Sequence, residues 1–223
     1  MEDVDIGRRF EFHTHTFYSD GVLSPAELIR HCVVKDCEVV AITDHVDFTN
    51  LDHVLKCQKK IVGEISWDIK VLIGVELTHI PKDKIAKLAE KAKSLGADIV
   101  VAHGETTAEP VEKGTNNAAV NCEHVDILAH PGVIAVEDAE KAKENNIFLE
   151  LTTRRGHLQT NNHVAKTAFE TDAKLLLNTD AHEPADLMNQ IFAYRFVLGL
   201  RMDKNNSLPI VKDNPREFMK RFK

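Results

Sequence analysis

The hydrophobic positions of the chain fall into seven short runs that alternate with longer stretches of mixed apolar and polar residues. Each run is almost continuously apolar, which is typical of parallel strands that are buried on both faces of a sheet. The ends of neighbouring runs are separated by about the length of one strand-plus-helix unit. The seven runs are residues 10–12 (FEF), 38–43 (EVVAIT), 69–75 (IKVLIGV), 97–102 (ADIVVA), 125–129 (VDILA), 147–151 (IFLEL) and 173–178 (AKLLLN).

Helix signals occupy the segments between these runs. Ser24 followed by Pro25 predicts the start of a helix, because Ser caps helices and Pro is favoured at the first helical position. An amphipathic stretch over residues 81–94 predicts a second helix that ends near Gly96. Further helices are predicted over residues 137–145, 161–171 and 185–200, a shorter one within 114–124, and a terminal one from Asn214-Pro215. The pattern therefore predicts an α/β fold built on seven parallel strands.

The composition is that of an ordinary globular protein, with 43% hydrophobic and 28% charged residues. A length of 223 residues suits one α/β barrel and leaves little room for two full domains. We predict a single domain over residues 10–223, preceded by an N-terminal extension of residues 1–9. A C-terminal tail or helix is expected from about residue 206.

The charge pattern limits the partners that we expect. The chain has 28 basic and 35 acidic residues, a net charge of −7, and its Lys and Arg residues are scattered. Such a surface does not favour stable binding to a nucleic-acid backbone. Because no secretory signal or membrane-length apolar run is present, we expect a cytoplasmic protein that acts on a small phosphorylated substrate.

Histidines and carboxylates follow the apolar runs directly. In a barrel of parallel strands the carboxyl ends of the strands carry the chemistry, because the connecting loops converge there. Alternate residues of an extended segment share a face, so His13 pairs with His15, and Asp180 with His182. The polar residues at the strand ends are His13, His15, Asp20, Asp44, His45, Glu76, His103, His130, Glu150, Asp180 and His182.

So many buried imidazoles and carboxylates would be costly without cations to pair with them. A mixed nitrogen and carboxylate set suits Zn, Mn or Fe better than Ca or Mg, which prefer oxygen ligands. The number of candidate ligands exceeds what one ion can use, so we predict two to three divalent ions. A centre of this type generates a metal-activated hydroxide that attacks phosphorus, which predicts hydrolysis of phosphate esters.

The motifs FHTHTFYSDG, AITDH, GVEL, VVAHGE, LAHPG, LEL and NTDAHEP together resemble the PHP (polymerase and histidinol phosphatase) family of metal-dependent phosphoesterases. This resemblance runs from Phe10 to about Pro184. It implies a distorted TIM-like barrel of seven strands with a trinuclear site at the strand ends. It also implies three ligand sets: His13, His15, Glu76 and Asp180; the bridging Glu76 with His103 and His130; and Asp20, His45 and His182.

Other residues near the strand ends have predicted supporting roles. Arg154 and Arg155 follow the sixth run, where a guanidinium can bind phosphate oxygens, and Arg154 is the preferred candidate. Asp180 and His182 are candidates for protonating the leaving group, and Glu76 is the bridging catalytic carboxylate. Four residues are predicted to lie behind the ligands or at the rim of the site: Asp44, Glu105, Glu150 and His157.

The sequence predicts a phosphatase that hydrolyses a small phosphomonoester such as histidinol phosphate. The connecting loops are short and add little material to enclose a ligand, which keeps nucleotides or oligonucleotide 3′ ends open as alternative substrates. A non-catalytic RNA-protein scaffold is a third interpretation. That class predicts missing ligands and a basic surface, and the sequence has neither.

Overall fold

The computed structural model describes residues 5–200 and 202–222. A strand overlaps each of the seven apolar runs, and an additional two-residue strand lies just beyond the second run. The strands are β1 (Arg9–Glu11), β2 (Cys37–Ile42), β3 (His45–Val46), β4 (Lys70–Leu77), β5 (Ile99–His103), β6 (Ile127–Ala129), β7 (Phe148–Thr152) and β8 (Leu175–Asn178).

The paired strands are all parallel and follow the order β1-β2-β4-β5-β6-β7-β8, with β3 beside β4. The first and last strands meet through a parallel bridge between Thr14 and Ala181. The His15 amide donates to the Ala181 carbonyl at 2.8 Å, and the Ala181 amide donates to the His13 carbonyl at 3.3 Å. The predicted α/β barrel of seven parallel strands is therefore confirmed.

Next to this bridge, hydrogen bonds of side chains connect β1 to the β8 segment. The Thr179 amide donates to Glu11 Oε1 at 2.9 Å. The Arg9 guanidinium donates to Glu11 Oε2 at 2.7 Å and to the Leu177 carbonyl at 2.9 Å. Arg9 and Glu11 are both buried, so their charges compensate each other inside the seam.

Helices follow most strands and cover the outside of the barrel. They are α1 (Pro25–Val34), α2 (Leu51–Val62), α3 (Ile85–Ser94), α4 (Thr115–Val120), α5 (Val136–Glu144), α6 (Asn161–Thr171), α7 (Gln190–Gly199), α8 (Lys204–Leu208) and α9 (Asn214–Met219). Short 3-10 turns span Lys82–Lys84 and Leu158–Thr160, and a π-helical turn spans Pro209–Asp213. Among the described residues, none of these helices is long and apolar enough to cross a bilayer.

The helices differ from the sequence prediction at α2, α7 and α8, and the helix predicted from residue 81 begins as a 3-10 turn at Lys82–Lys84. The prediction contains no counterpart of α2, and α7 begins at Gln190 instead of at residue 185. Asn189 caps α7 by accepting a hydrogen bond from the Phe192 amide at 3.0 Å. Strand β1 already begins at Arg9, within the predicted extension, whose first four residues lie outside the described residues. The division into an extension and one domain stays a prediction.

The terminal helix α9 closes the amino-terminal end of the barrel. Its Phe218 is fully buried, and its ring centroid lies 4.9 Å from that of Phe12 and 5.1 Å from that of Phe148. The buried residues around it are Phe10, Val39, Ala41, Leu72, Ile99, Val101, Ile127, Ala129 and Leu176. The barrel is thus packed with side chains below the level at which the polar residues converge.

Candidate metal centre

The nine predicted ligand residues converge at the carboxyl ends of the strands. Their nitrogen and carboxylate oxygen atoms form overlapping groups in which all ligand atoms lie within 4.8 Å of one another. Three of these groups are His15, Asp20, His45 and His182; His13, His15 and Asp180; and Glu76, His103 and His130, and a fourth joins His13 and His130 to Glu150. The first three resemble the sets that the sequence resemblance implies, but His15 also joins the group of Asp20, and the group of His13 and Asp180 does not include Glu76.

Glu76 lies at the centre of the cluster, at the end of β4. Its Oε2 is 3.3 Å from His13 Nε2, 3.6 Å from His15 Nε2 and 2.7 Å from His45 Nδ1. Its Oε1 is 3.4 Å from His130 Nε2. The carboxylate is fully buried, and it faces histidines from every group. A carboxylate in this position is suited to bridging two cations.

The imidazoles are oriented by contacts of their Nδ1 atoms, as is usual for metal-binding histidines. In most of them this leaves Nε2 directed at the cluster. The Nδ1 contacts are His13 with Glu150 Oε1 (2.8 Å), His45 with Thr78 Oγ1 (2.6 Å), His103 with the Gly104 carbonyl (3.2 Å) and His182 with the Asp180 carbonyl (2.9 Å).

Several buried ligand atoms in the centre lie close to other ligand atoms but have no partner with hydrogen-bond geometry in the described residues. A buried polar atom without a partner costs free energy, and such atoms are rare in folded proteins. Here they converge on one place, which is the arrangement that a cation site requires. The atoms are His13 Nε2, His15 Nδ1 and Nε2, Glu76 Oε1 and Oε2, His130 Nδ1 and Asp180 Oδ1. The donor set therefore fits divalent transition-metal ions.

The pKa shifts in the centre show how strongly its buried carboxylates and imidazoles interact. Although burial alone would raise the pKa of Glu76, His13 and His45 hold it well below its usual range. Burial lowers the pKa of His15 well below its usual value, and the neighbouring His45 adds to this effect. Although burial alone would lower the pKa of His13 and of His45, nearby carboxylates including Glu76 raise both, that of His45 to about 9, so these imidazoles must release a proton when a metal ion binds.

Two of the candidate ligands hold unusual backbone conformations. His130 has φ = 27° and Asp180 has φ = 52°, in the left-handed region that side chains other than glycine rarely adopt. Such residues cost about 1–3 kcal/mol each and persist where the surrounding structure requires them. Both strained residues lie just after a strand, His130 after β6 and Asp180 after β8, where the chain brings ligands to the centre.

Glu150 supports the ligands from behind. In addition to His13, its Oε1 contacts Asn178, whose amide group donates at 2.8 Å. Its Oε2 accepts a hydrogen bond from the His130 backbone amide at 3.1 Å. Glu150 Oε1 and Oε2 are thus already occupied by protein groups, and the residue orients two histidines.

Asp44 orients a loop rather than an imidazole. Its buried carboxylate accepts hydrogen bonds from the Thr16 amide at 2.6 Å, from Ser19 Oγ at 2.9 Å and from Gln58 Nε2 at 3.0 Å. These contacts hold the segment that leads to Asp20. Asp44 therefore acts on the centre only through the position of that loop.

Glu105 is tied to a helix start. Its Oε1 accepts hydrogen bonds from the amides of Gly114 at 2.8 Å and Asn116 at 2.9 Å, at the beginning of α4. This contact anchors the loop after β5, and the side chain is committed to that structural role.

The two predicted phosphate-binding arginines differ in their surroundings. Arg154 is half-buried, and its Nη1 lies 3.3 Å from Asp186 Oδ2. The same oxygen accepts hydrogen bonds from the backbone amides of His182 at 2.8 Å and Glu183 at 3.0 Å. Asp186 thus fixes the Arg154 guanidinium beside the segment that carries His182. Arg155 is exposed.

Glu109, which sequence reasoning missed, contacts three histidines of the rim. Its Oε2 is 3.2 Å from His103 Nε2 and 3.3 Å from His79 Nε2, and its Oε1 is 3.4 Å from His157 Nε2. The hydrogen bond with His103 lowers the pKa of Glu109 to about 2. Burial and the nearby His130 lower the pKa of His157 to about 4. No local sequence pattern marks Glu109, because it lies in the middle of a loop.

The family of the chain follows from its sequence relatives. The family model of the PHP domain matches residues 11–200 of the sequence. The chain therefore belongs to the PHP domain family and is a phosphoesterase. An uncharacterized protein of Methanocaldococcus jannaschii is 50% identical over 217 residues, covering 96% of this chain and all of that protein. A probable phosphatase of Shewanella halifaxensis is 30% identical over 190 residues, covering 76% of each chain. The DNA polymerase/3′-5′ exonuclease PolX of Bacillus subtilis is 28% identical over 206 residues, covering 82% of this chain and 36% of PolX.

Solved structures share the fold at low sequence identity. Histidinol phosphate phosphatase from Lactococcus lactis, complexed with Zn, L-histidinol and phosphate, superposes with a TM-score of 0.62 at 17% identity. That match covers 95% of this chain and 92% of the phosphatase. A chain of an archaeal ribonuclease P structure superposes with a TM-score of 0.64 at 18% identity, covering 95% of this chain and 87% of that one. These likenesses establish a common barrel.

Proposed function

We propose that this chain is a metal-dependent phosphatase that hydrolyses a small phosphomonoester, such as histidinol phosphate. The convergence of nine ligand-competent residues on the buried, unpartnered Glu76 carboxylate carries this proposal. Two to three ions of Zn, Mn or Fe would be held by the three groups, with Glu76 shared between them. When bound, such ions supply Lewis acidity and activate water for attack on phosphorus.

The chain's own residues would then orient the ester and handle charge and protons. Arg154, fixed by Asp186, would donate hydrogen bonds to the phosphate oxygens and neutralise the charge that develops in the transition state. Asp180 and His182 lie within reach of the same space and would supply a proton to the leaving alcohol. Glu150 and Thr78 would keep the imidazoles in their productive orientation.

A nucleotide or oligonucleotide phosphoesterase, including a 3′-5′ exonuclease, is the second candidate. The similarity to PolX of B. subtilis, whose name includes a 3′-5′ exonuclease, favours it. The net charge of −7 disfavours long nucleic acids. A non-catalytic RNA-protein scaffold fits poorly, because all nine ligand positions are occupied and brought together.

A substrate screen tests the proposal. Protein reconstituted separately with Zn, Mn and Fe would be assayed for phosphate release from a panel of phosphomonoesters, nucleotides and phosphodiesters. We expect small phosphomonoesters to be hydrolysed with the highest kcat/KM. A clear preference for diesters or oligonucleotide ends would favour the second candidate instead.

Removal of the ions should destabilise the protein, because the buried carboxylates and imidazoles of the centre would lose their cations. When the free ion concentration is well above the Kd, removal of the ions should lower the unfolding free energy by about 3 kcal/mol. This loss corresponds to a decrease of roughly 6–12 °C in Tm. Thermal unfolding with and without a chelator measures this effect, and renewed addition of Zn should reverse it. An unchanged Tm after verified metal removal would contradict the proposed centre.

The Arg154→Ala variant should keep its metal content and fold but lose transition-state stabilisation of about 2–4 kcal/mol. Arg154→Lys should restore only part of kcat/KM, because a point charge does not reproduce the planar guanidinium. Steady-state kinetics on two phosphomonoesters with different leaving groups measures both effects. Since Arg154 would contact the phosphate common to both esters, the losses should be equal.

Arg155→Ala is the matched control, because its exposed guanidinium is the next residue along the same loop. We expect that variant to retain nearly full activity. If kcat/KM fell in Arg155→Ala but not in Arg154→Ala, Arg155 rather than Arg154 would be the phosphate-binding residue. A penalty confined to one ester would make Arg154 a residue that recognises the leaving group.

A further inference from the structure

A small cavity opens next to the candidate metal centre, outside the barrel and between the loops that follow β4 and β5. Its volume is about 170 Å³. His103, a candidate ligand, forms part of its wall. The apolar part of the lining consists of Leu77, Ile80, Ile85, Pro110 and Val111.

The polar groups of this cavity are already paired within the protein. Glu112 accepts a hydrogen bond from the Lys82 amide at 3.1 Å, and Thr115 Oγ1 donates to the Glu112 carbonyl at 2.6 Å. His79 contacts Glu109. The cavity therefore offers a ligand both apolar and polar surface, and its polar groups are already engaged in contacts within the protein.

The position of His103 connects the cavity to the chemistry. His103 belongs to the ligand group of Glu76 and His130 and also lines the cavity. A phosphate ester bound at that group would have its phosphorus close to the cavity wall. The part of the ester that extends away from the phosphate can then enter the cavity.

We propose that this cavity receives the leaving alcohol of the substrate and restricts it to a compact group of about the size of one ring. The inference rests on the proposed phosphatase function and specifies its substrate class. Pockets that enclose drug-sized ligands measure about 300–1,000 Å³. A volume of about 170 Å³ holds a single ring or a short chain, whereas a nucleoside exceeds it.

Val111 offers a direct test, because it lines the cavity and is only half-buried, so larger and smaller side chains are compatible with folding. Val111→Phe narrows the cavity and Val111→Ala widens it. The probes are methyl phosphate, benzyl phosphate and adenosine 5′-monophosphate, which all release a primary alcohol. Dividing the kcat/KM of each variant by that of the wild type for the same ester cancels differences in intrinsic reactivity.

We expect Val111→Phe to lower kcat/KM for benzyl phosphate by about tenfold while changing that for methyl phosphate less than about twofold. Val111→Ala should shift the preference towards adenosine 5′-monophosphate. The matched control is Val34→Phe, the same substitution at an exposed position at the end of α1. For this control, kcat/KM relative to the wild type should be unchanged for all three esters. Elemental analysis should find the same metal content in all four proteins.

The outcomes separate the two levels of the proposal. If the wild type hydrolyses phosphomonoesters but both Val111 variants keep the wild-type ratios, the cavity is not the leaving-group site and the phosphatase function stands. A wild type that prefers adenosine 5′-monophosphate to benzyl phosphate also overturns the cavity assignment. If metal-loaded wild type releases phosphate from none of the three esters, the proposed function itself is overturned.

Discussion

The Glu76→Ala variant is expected to lose its metal ions and its phosphoesterase activity together. Glu76 is fully buried and contacts His13, His15, His45 and His130, so its carboxylate supplies the negative charge that the surrounding cations would share. Without it, at least one ion should be absent, and kcat/KM should fall by about a thousandfold or more. Elemental analysis and phosphate release, measured on the same preparation, test this result.

Glu105→Ala is the matched control for that experiment. Glu105 lies at the same end of the barrel, but its carboxylate anchors the start of α4. Its loss should cost about 1 kcal/mol of stability and leave the metal content unchanged. Normal metal content and turnover in Glu76→Ala would remove Glu76 from the set of ligands.

Phe218→Ala is expected to reduce the unfolding free energy by about 3–5 kcal/mol. Phe218 is fully buried, and its ring contacts the rings of Phe12 and Phe148 at the closed end of the barrel. Its removal would leave a cavity where the terminal helix α9 meets the barrel interior. Equilibrium denaturation in urea measures the loss, which should appear as a lower midpoint with a similar m-value.

Phe192→Ala provides the corresponding control, because the Phe192 side chain is 60% exposed on α7. The two variants remove the same atoms from opposite environments. We expect a change within about 0.5 kcal/mol at Phe192. Equal losses at both positions would mean that α9 contributes no more to stability than an exposed helix does.

The regular elements of the fold could be predicted because each strand is buried on both faces and therefore reads as an unbroken apolar run. Helix α2 was not predicted although it follows Asn50, a residue type favoured at helix N-caps; the Asn50 side chain instead accepts a hydrogen bond from the Asp47 amide at 2.9 Å in the preceding loop. The start of α7 was placed too early for a different reason. Asp186 lies in the predicted helix, but its carboxylate is used to hold His182 and Arg154.

The candidate ligands could be located from sequence because most of them lie at or just beyond the end of a strand, and parallel strands end on the same side of a barrel. Residues that support them from other loops could not. Glu109 and Asn178 reach their histidine and glutamate partners through tertiary contacts that no local spacing encodes. Asp44 adjoins His45 in sequence, yet its side chain turns to Thr16 and Gln58, because neighbouring residues of an extended segment point to opposite sides.

The seam between β1 and β8 also determines when the metal centre can assemble during synthesis. His13 and His15 leave the ribosome well before Asp180 and His182, and the bridge between Thr14 and Ala181 brings the two segments together. Contacts of such long sequence separation form slowly, because the entropy of closing the loop must be overcome first. A nascent chain that stops short of β8 therefore lacks two of the candidate ligands, Asp180 and His182, and the proposed metal loading would follow completion of the barrel.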